Sequence, residues 1–111
     1  MVTKKTIKVP IFDYKIVIIV ADTFKEVSSL YPEVHPCEGC MLEGLDNSIV
    51  IIPPNKSGVL AHECVHLKNA IWKYIGYKPI EDNDEVDAYL VQYLFNQVSK
   101  VVAKHNLATH C

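Results

Sequence analysis

Residues 14–21, Y-K-I-V-I-I-V-A, place β-branched side chains at consecutive positions rather than alternate ones. A strand written this way has no polar face to offer water, so it must lie inside a sheet and be covered on both sides. The rest of the chain has to supply that cover. Upstream, Ile7 to Ile11 reads as a short extended segment that Pro10 restricts to an edge or a strand start. Downstream, Thr23 and Glu26 form a capping-box pattern ahead of Phe24, Val27 and Leu30, which predicts a short helix over 24–31 ended by Pro32. Met41 to Leu45 and Ser48 to Ile52 flank Asp46-Asn47 as a β-hairpin closed at Pro53-Pro54.

Two longer helices follow. Ser57 is the expected cap of the first, whose apolar positions include Val59, Leu60, Val65, Ala70, Ile71, Tyr74 and Ile75, with Gly76 as its C-terminal stop. After an acidic run (Glu81, Asp82, Asp84, Glu85), Asn83 is the expected cap of the second. Val86, Tyr89, Leu90, Tyr93, Leu94, Val98 and Val101 carry that helix to about Lys104. The order strand, strand, helix, hairpin, helix, helix predicts a small α+β domain, a mostly antiparallel sheet covered on one face by helices. With 111 residues, half of them hydrophobic, residues 1–111 are expected to form one domain around one core.

Charge narrows the partners. The 11 basic residues are all lysine, against 13 acids, for a net charge of -2. A chain built to neutralise phosphates carries a basic excess and uses guanidinium forks, so neither nucleic acid nor an anionic membrane is expected as a partner. The longest apolar run, Ile16 to Ala21, is far shorter than the ~18 to 20 residues that span a bilayer, and the N-terminus lacks a secretory h-region. A cytoplasmic location is the expectation. Four cysteines are too few for a disulfide-stapled scaffold and read as thiols or metal ligands.

The chemistry lies in H-E-C-V-H, residues 62–66, inside the first long helix. Two His at i and i+4 stand one turn apart on one helix face, where both imidazoles can reach one zinc ion. Glu63, rotated about 100° from His62, is placed to act on the metal's water as a general base. Random placement produces the pattern in roughly one such chain in a hundred. Catalytic zinc needs a third protein ligand, and Glu81, Asp82, Asp84 and Glu85 are the nearest acids downstream. Residues 67–84 are enough chain for the helix to finish, turn at Gly76 and return antiparallel, so that Glu85 can face His62 and His66.

H-E-x-x-H with a Glu on the following helix resembles the gluzincin arrangement of zinc metallopeptidases. H-E-C-V-H, a Gly-centred loop and D-N-D-E-x-x-A-Y-L look more closely like a family of small phage-encoded H-E-x-x-H proteins. The likeness also touches I-F-D-Y-K-I-V-I-I-V, but only His62 to Leu90 is specific. It implies a minimal zincin-like fold, zinc ligands at His62, His66 and Glu85, a general base at Glu63 and, for a phage protein, a place in the host cytoplasm. It implies no particular substrate.

Tyr89, one turn beyond Glu85, could donate its hydroxyl to an oxyanion or to the ligand carboxylate. Cys64 points off the ligand face and reads as a small buried hydrophobe. Cys37 and Cys40 read first as plain thiols in a loop; with His35 before them and His110-Cys111 at the far end they also have the spacing of a second, structural metal site, and a redox-sensitive disulfide is the remaining alternative. The leading expectation is a zinc metallopeptidase acting on peptide or amide bonds, with an extended substrate aligned along the edge of the strand Ser48 to Ile52. The first rival is a non-catalytic zinc-binding module that engages a host protein, and the second is a metal-free helical interaction domain with His62 and His66 on its surface.

Overall fold

A computed structural model describes residues 1–34 and 39–109. The elements are β1 (Val2–Val9), β2 (Tyr14–Ala21), α1 (Phe24–Leu30), β3 (Cys40–Glu43), β4 (Asn47–Ile52), α2 (Ser57–Ile75) and α3 (Glu85–Thr109). The four strands form one sheet in the order β1-β2-β4-β3. β2 is internal, as its sequence requires. Ile16, Ile18 and Val20 join Val50 and Ile52 of β4 beneath α2 and α3. Ile19 and Ala21 turn the other way and pack with Ile51, Val27 and Val34.

The sheet is mixed. β1 pairs with β2 and β3 with β4 in antiparallel fashion, whereas β2 and β4 run parallel. Parallel neighbours require a crossover, and α1 lies on that crossover, on the face away from α2 and α3. Helices therefore cover both faces of the sheet, which corrects the one-sided cover expected from the sequence. α1 carries its capping box: the Thr23 hydroxyl accepts from the Glu26 N–H and the Glu26 carboxylate accepts from the Thr23 N–H.

Boundaries shift for local reasons. β1 starts at Val2 and stops at Val9; Pro10 ends its pairing, and Ile11 and Asp13 take positive φ values of 76° and 54° in the turn to β2. Gly44 N–H donates to Asn47 O, so the hairpin closes from Glu43 to Ser48 and Asn47 already belongs to β4. Ser57 is inside α2 rather than capping it. The Lys56 carbonyl accepts the first helical bond, from Leu60, and no side chain caps that end. Asn83 is not at the cap position of α3: the first helical bond runs from Ala88 N–H to the Asp84 carbonyl, and Asn83 N–H donates to Ile80 O in the preceding turn. Gly76 ends α2 as expected, in the left-handed conformation at φ 77°.

The C-terminal half of α3 is tied to the start of the chain. His105 is fully buried, with Nδ1 2.7 Å from Thr3 Oγ1 and Nε2 2.8 Å from Asp22 Oδ1. The N-terminal ammonium pairs with Glu26 and lies 3.4 Å from Asp22. The hydrogen bond from His105, ahead of the Met1 charge, holds the Asp22 carboxyl below the usual carboxylate range. A carboxyl lowered by folding contributes stability above its unfolded pKa of about 4, and that contribution is lost as pH falls through the lower, folded value. Asp22→Asn should therefore flatten the acid limb of a plot of denaturation midpoint against pH between pH 5 and pH 3. An unchanged acid limb would show that the Asp22–His105 contact adds nothing to it.

Candidate metal centre

α2 presents three stripes. Leu60, Cys64, Leu67 and Ile71 are buried against the sheet. Lys68 and Trp72 look toward α3. Val59, Glu63 and Ala70 border β3, where Gly39 packs so closely that a Cβ on it would meet Val59 Cγ1 at 2.5 Å and Glu63 Cγ at 3.4 Å. The absence of a side chain at Gly39 lets the start of β3 approach the helix and close over Glu63, which is 5% exposed.

His62 and His66 fall between the solvent side and this β3 stripe and are both exposed. Their Nε2 atoms lie 3.2 Å apart, and His62 Nε2 is 4.0 Å from Glu63 Oε2. Two neutral imidazoles can share one hydrogen bond at that separation. The same separation fits a metal: at Zn–N distances near 2.05 Å it corresponds to an N–Zn–N angle of about 100°, close to tetrahedral. Among the described residues, His62, Glu63 and His66 form the group of imidazole and carboxylate ligand atoms close enough to hold one ion, all within 4.8 Å of one another.

Glu85 is not part of that group. It is exposed in the first turn of α3. Asp87, two residues on, accepts from Trp72 Nε1 at 2.7 Å and pairs with Lys68 at 3.2 Å, which sets the start of α3 beside residues 68–72. At 1.5 Å rise per residue, Trp72 is about 9 Å along the axis beyond His66. The His pair also faces away from the flank of α2 that α3 occupies. The antiparallel return expected from the sequence is present, but its register and side keep Glu85 from His62 and His66. Neither Glu81, Asp82 nor Asp84 joins the cluster.

Tyr89 is 65% exposed on α3, on the far side of α2 from the His pair. Tyr74 packs on Tyr14, with ring centroids 5.3 Å apart, and Tyr77 on Trp72 at 4.5 Å. Cys64 is fully buried; burial, with the charge of Glu63 second, pushes its thiol up to about 11, so it is protonated and unreactive at neutral pH. His35, Cys37, His110 and Cys111, needed for the second metal site, lie outside the described residues. β4, the strand expected to align a substrate, has neighbours on both edges. Among the described residues, β3 is the edge strand on the side of the candidate centre. Asp87 was missed by sequence reasoning as the residue that sets the helix register; an acid in a first helical turn reads as dipole stabilisation.

Among known proteins, no family profile matches the chain, no curated protein is similar to it, and no solved structure matches it. The resemblance to gluzincins thus rests on the residues from His62 to Leu90. No helix among the described residues is long and apolar enough to cross a membrane.

Replacing either His62 or His66 by Ala should weaken zinc binding by ~10-fold or more in a chelator competition, since each supplies one of few donors. Glu85→Ala should leave it within about twofold, as befits an exposed helix-terminal acid. A loss on Glu85→Ala as large as that on His62→Ala would contradict the geometry.

Proposed function

We propose that this protein is a zinc-dependent hydrolase of peptide or amide bonds, of minimal zincin-like design, in which His62 and His66 hold the ion and Glu63 is the general base. One observation carries the reading: two exposed Nε2 atoms at 3.2 Å, with a buried carboxylate oxygen 4.0 Å from one of them. A divalent ion bound there supplies Lewis-acid polarisation of a carbonyl and activation of water. Glu63 takes the proton of an attacking water on Oε2 and passes it to the leaving amine. Its position under β3 fixes the carboxylate on a rigid helix, without the entropy cost of ordering a surface side chain during the reaction. As an edge strand among the described residues, β3 offers backbone groups of Met41 to Glu43 to an extended substrate on the same side.

A second reading is favoured by the position of Glu85. With two imidazoles and one carboxylate that is either base or ligand, the described residues fall short of three ligands plus a separate base. The same residues then form a zinc-binding module that engages a host protein without turnover.

Glu63→Gln separates these roles. As a base, its loss should leave zinc binding intact and lower the rate on a peptide library by about 10²- to 10⁴-fold. Loss of zinc on Glu63→Gln would make it a ligand and contradict the hydrolase mechanism, and zinc without turnover in the wild type would favour the binding module.

A further inference from the structure

The charge of the chain is unevenly placed. No acid occurs before Asp13 or after Asp87. β1 and the C-terminal half of α3, which draw on those two stretches, lie side by side. Between them runs a groove of about 220 Å³ with Lys4, Lys5, Lys100 and Lys104 on its walls and Ile7 and Val101 at its base. All four lysines are exposed, and among the described residues no carboxylate pairs with any of them. Of the acids around β1, Asp22 and Glu26 are engaged by His105 and the N-terminal ammonium, and Asp13 by Lys8. A protein of net charge -2 thus keeps three uncompensated positive charges, those of Lys5, Lys100 and Lys104, together on the α3 side of β1, with Lys4 next to them in the strand.

The second observation is independent of charge. Among the described residues β1 ends the sheet and pairs only with β2, so along eight residues every other N–H and C=O points outward with no described strand beside it. Lysines on such an edge repel a second copy of the same strand, which removes self-pairing as its use. They attract carboxylates. A nucleic acid would satisfy the ammonium groups but not the row of outward amides and carbonyls; an extended acidic polypeptide satisfies both.

We propose that β1 is a docking edge for an acidic polypeptide segment. The segment adds to the sheet as a fifth strand, with alternate Asp or Glu side chains directed to Lys5, Lys100 and Lys104 on the α3 side. The proposal does not involve His62 or His66, and it holds whether or not the protein is a hydrolase.

The test uses the full chain and an acetylated octapeptide of alternating Thr and Glu carrying a fluorophore, followed by anisotropy at low salt. The expected result is saturable binding that falls at least tenfold in the K5E/K100E/K104E variant. All three positions are exposed, and circular dichroism of the variant checks that it folds. Methylating alternate peptide nitrogens on the edge-facing side removes strand pairing and keeps the charge, so it should lower affinity by at least tenfold as well. Equal affinity of the methylated and unmethylated peptides would overturn strand addition. Tighter binding of a single-stranded oligonucleotide of equal charge would overturn the polypeptide assignment, and no saturable binding would overturn both.

Discussion

The packing of α2 over β4 and β3, beside α3 over β2, is the constraint from which the other features follow. Leu60, Cys64, Leu67 and Ile71 repeat at the spacing of one helix face and sit between 0% and 5% exposed against Ile16, Ile18, Val50 and Ile52. Burying four such side chains is worth several kcal/mol, about 1.5 to 3 for each large one, and fixes the rotation of the helix about its axis. Once that rotation is set, residues 62 and 66 must face outward and residue 63 must face β3. The arrangement of His62, Glu63 and His66, which could hold a metal ion, is a by-product of core packing.

A second contact decides what joins the centre. Asp87 receives the Trp72 indole N–H and the Lys68 ammonium, so it locks α3 to the C-terminal part of α2. Three partly buried polar groups in one cluster tolerate little slippage, because each would lose its partner in a less polar setting. This register serves the helix pair well and leaves Glu85 in solvent. The result is an open, exposed centre with few protein donors, unlike a closed structural zinc site.

The sequence was most informative where a pattern had one physical solution. The β-branched run 14–21 read as a central strand and matches β2 residue for residue; Thr23 with Glu26 read as a capping box and Gly76 as a helix stop, and both are present. Cover by α1 on the second face was implicit in that run, but the antiparallel expectation hid it, since nothing in the hairpin sequence says whether β4 lies beside β2. Leu67 and Trp72, core residues of α2, were left off its apolar stripe, and Val65, placed on it, is 44% exposed. His62 and His66 were legible because their spacing is local to one helix. The separation of Glu85 from them was not, because the position of Glu85 depends on a contact between helices that the local pattern does not encode.

Charge placement follows the same division. Acids gather around the turn between α2 and α3 and lysines around β1 and the end of α3, so two ends of the protein have different electrostatic character. Net charge conceals this, and only the folded arrangement brings Lys5 beside Lys100 and Lys104. The claim on which the account rests most heavily is that two imidazoles from one helix share an ion without Glu85. X-ray absorption at the zinc edge, on wild type and Glu85→Ala loaded with one equivalent of zinc, tests it most directly. The account predicts the same spectrum from both, with two imidazole nitrogens and the remaining ligands oxygen. A spectrum that changes on removing Glu85, or one that shows no imidazole, would contradict it.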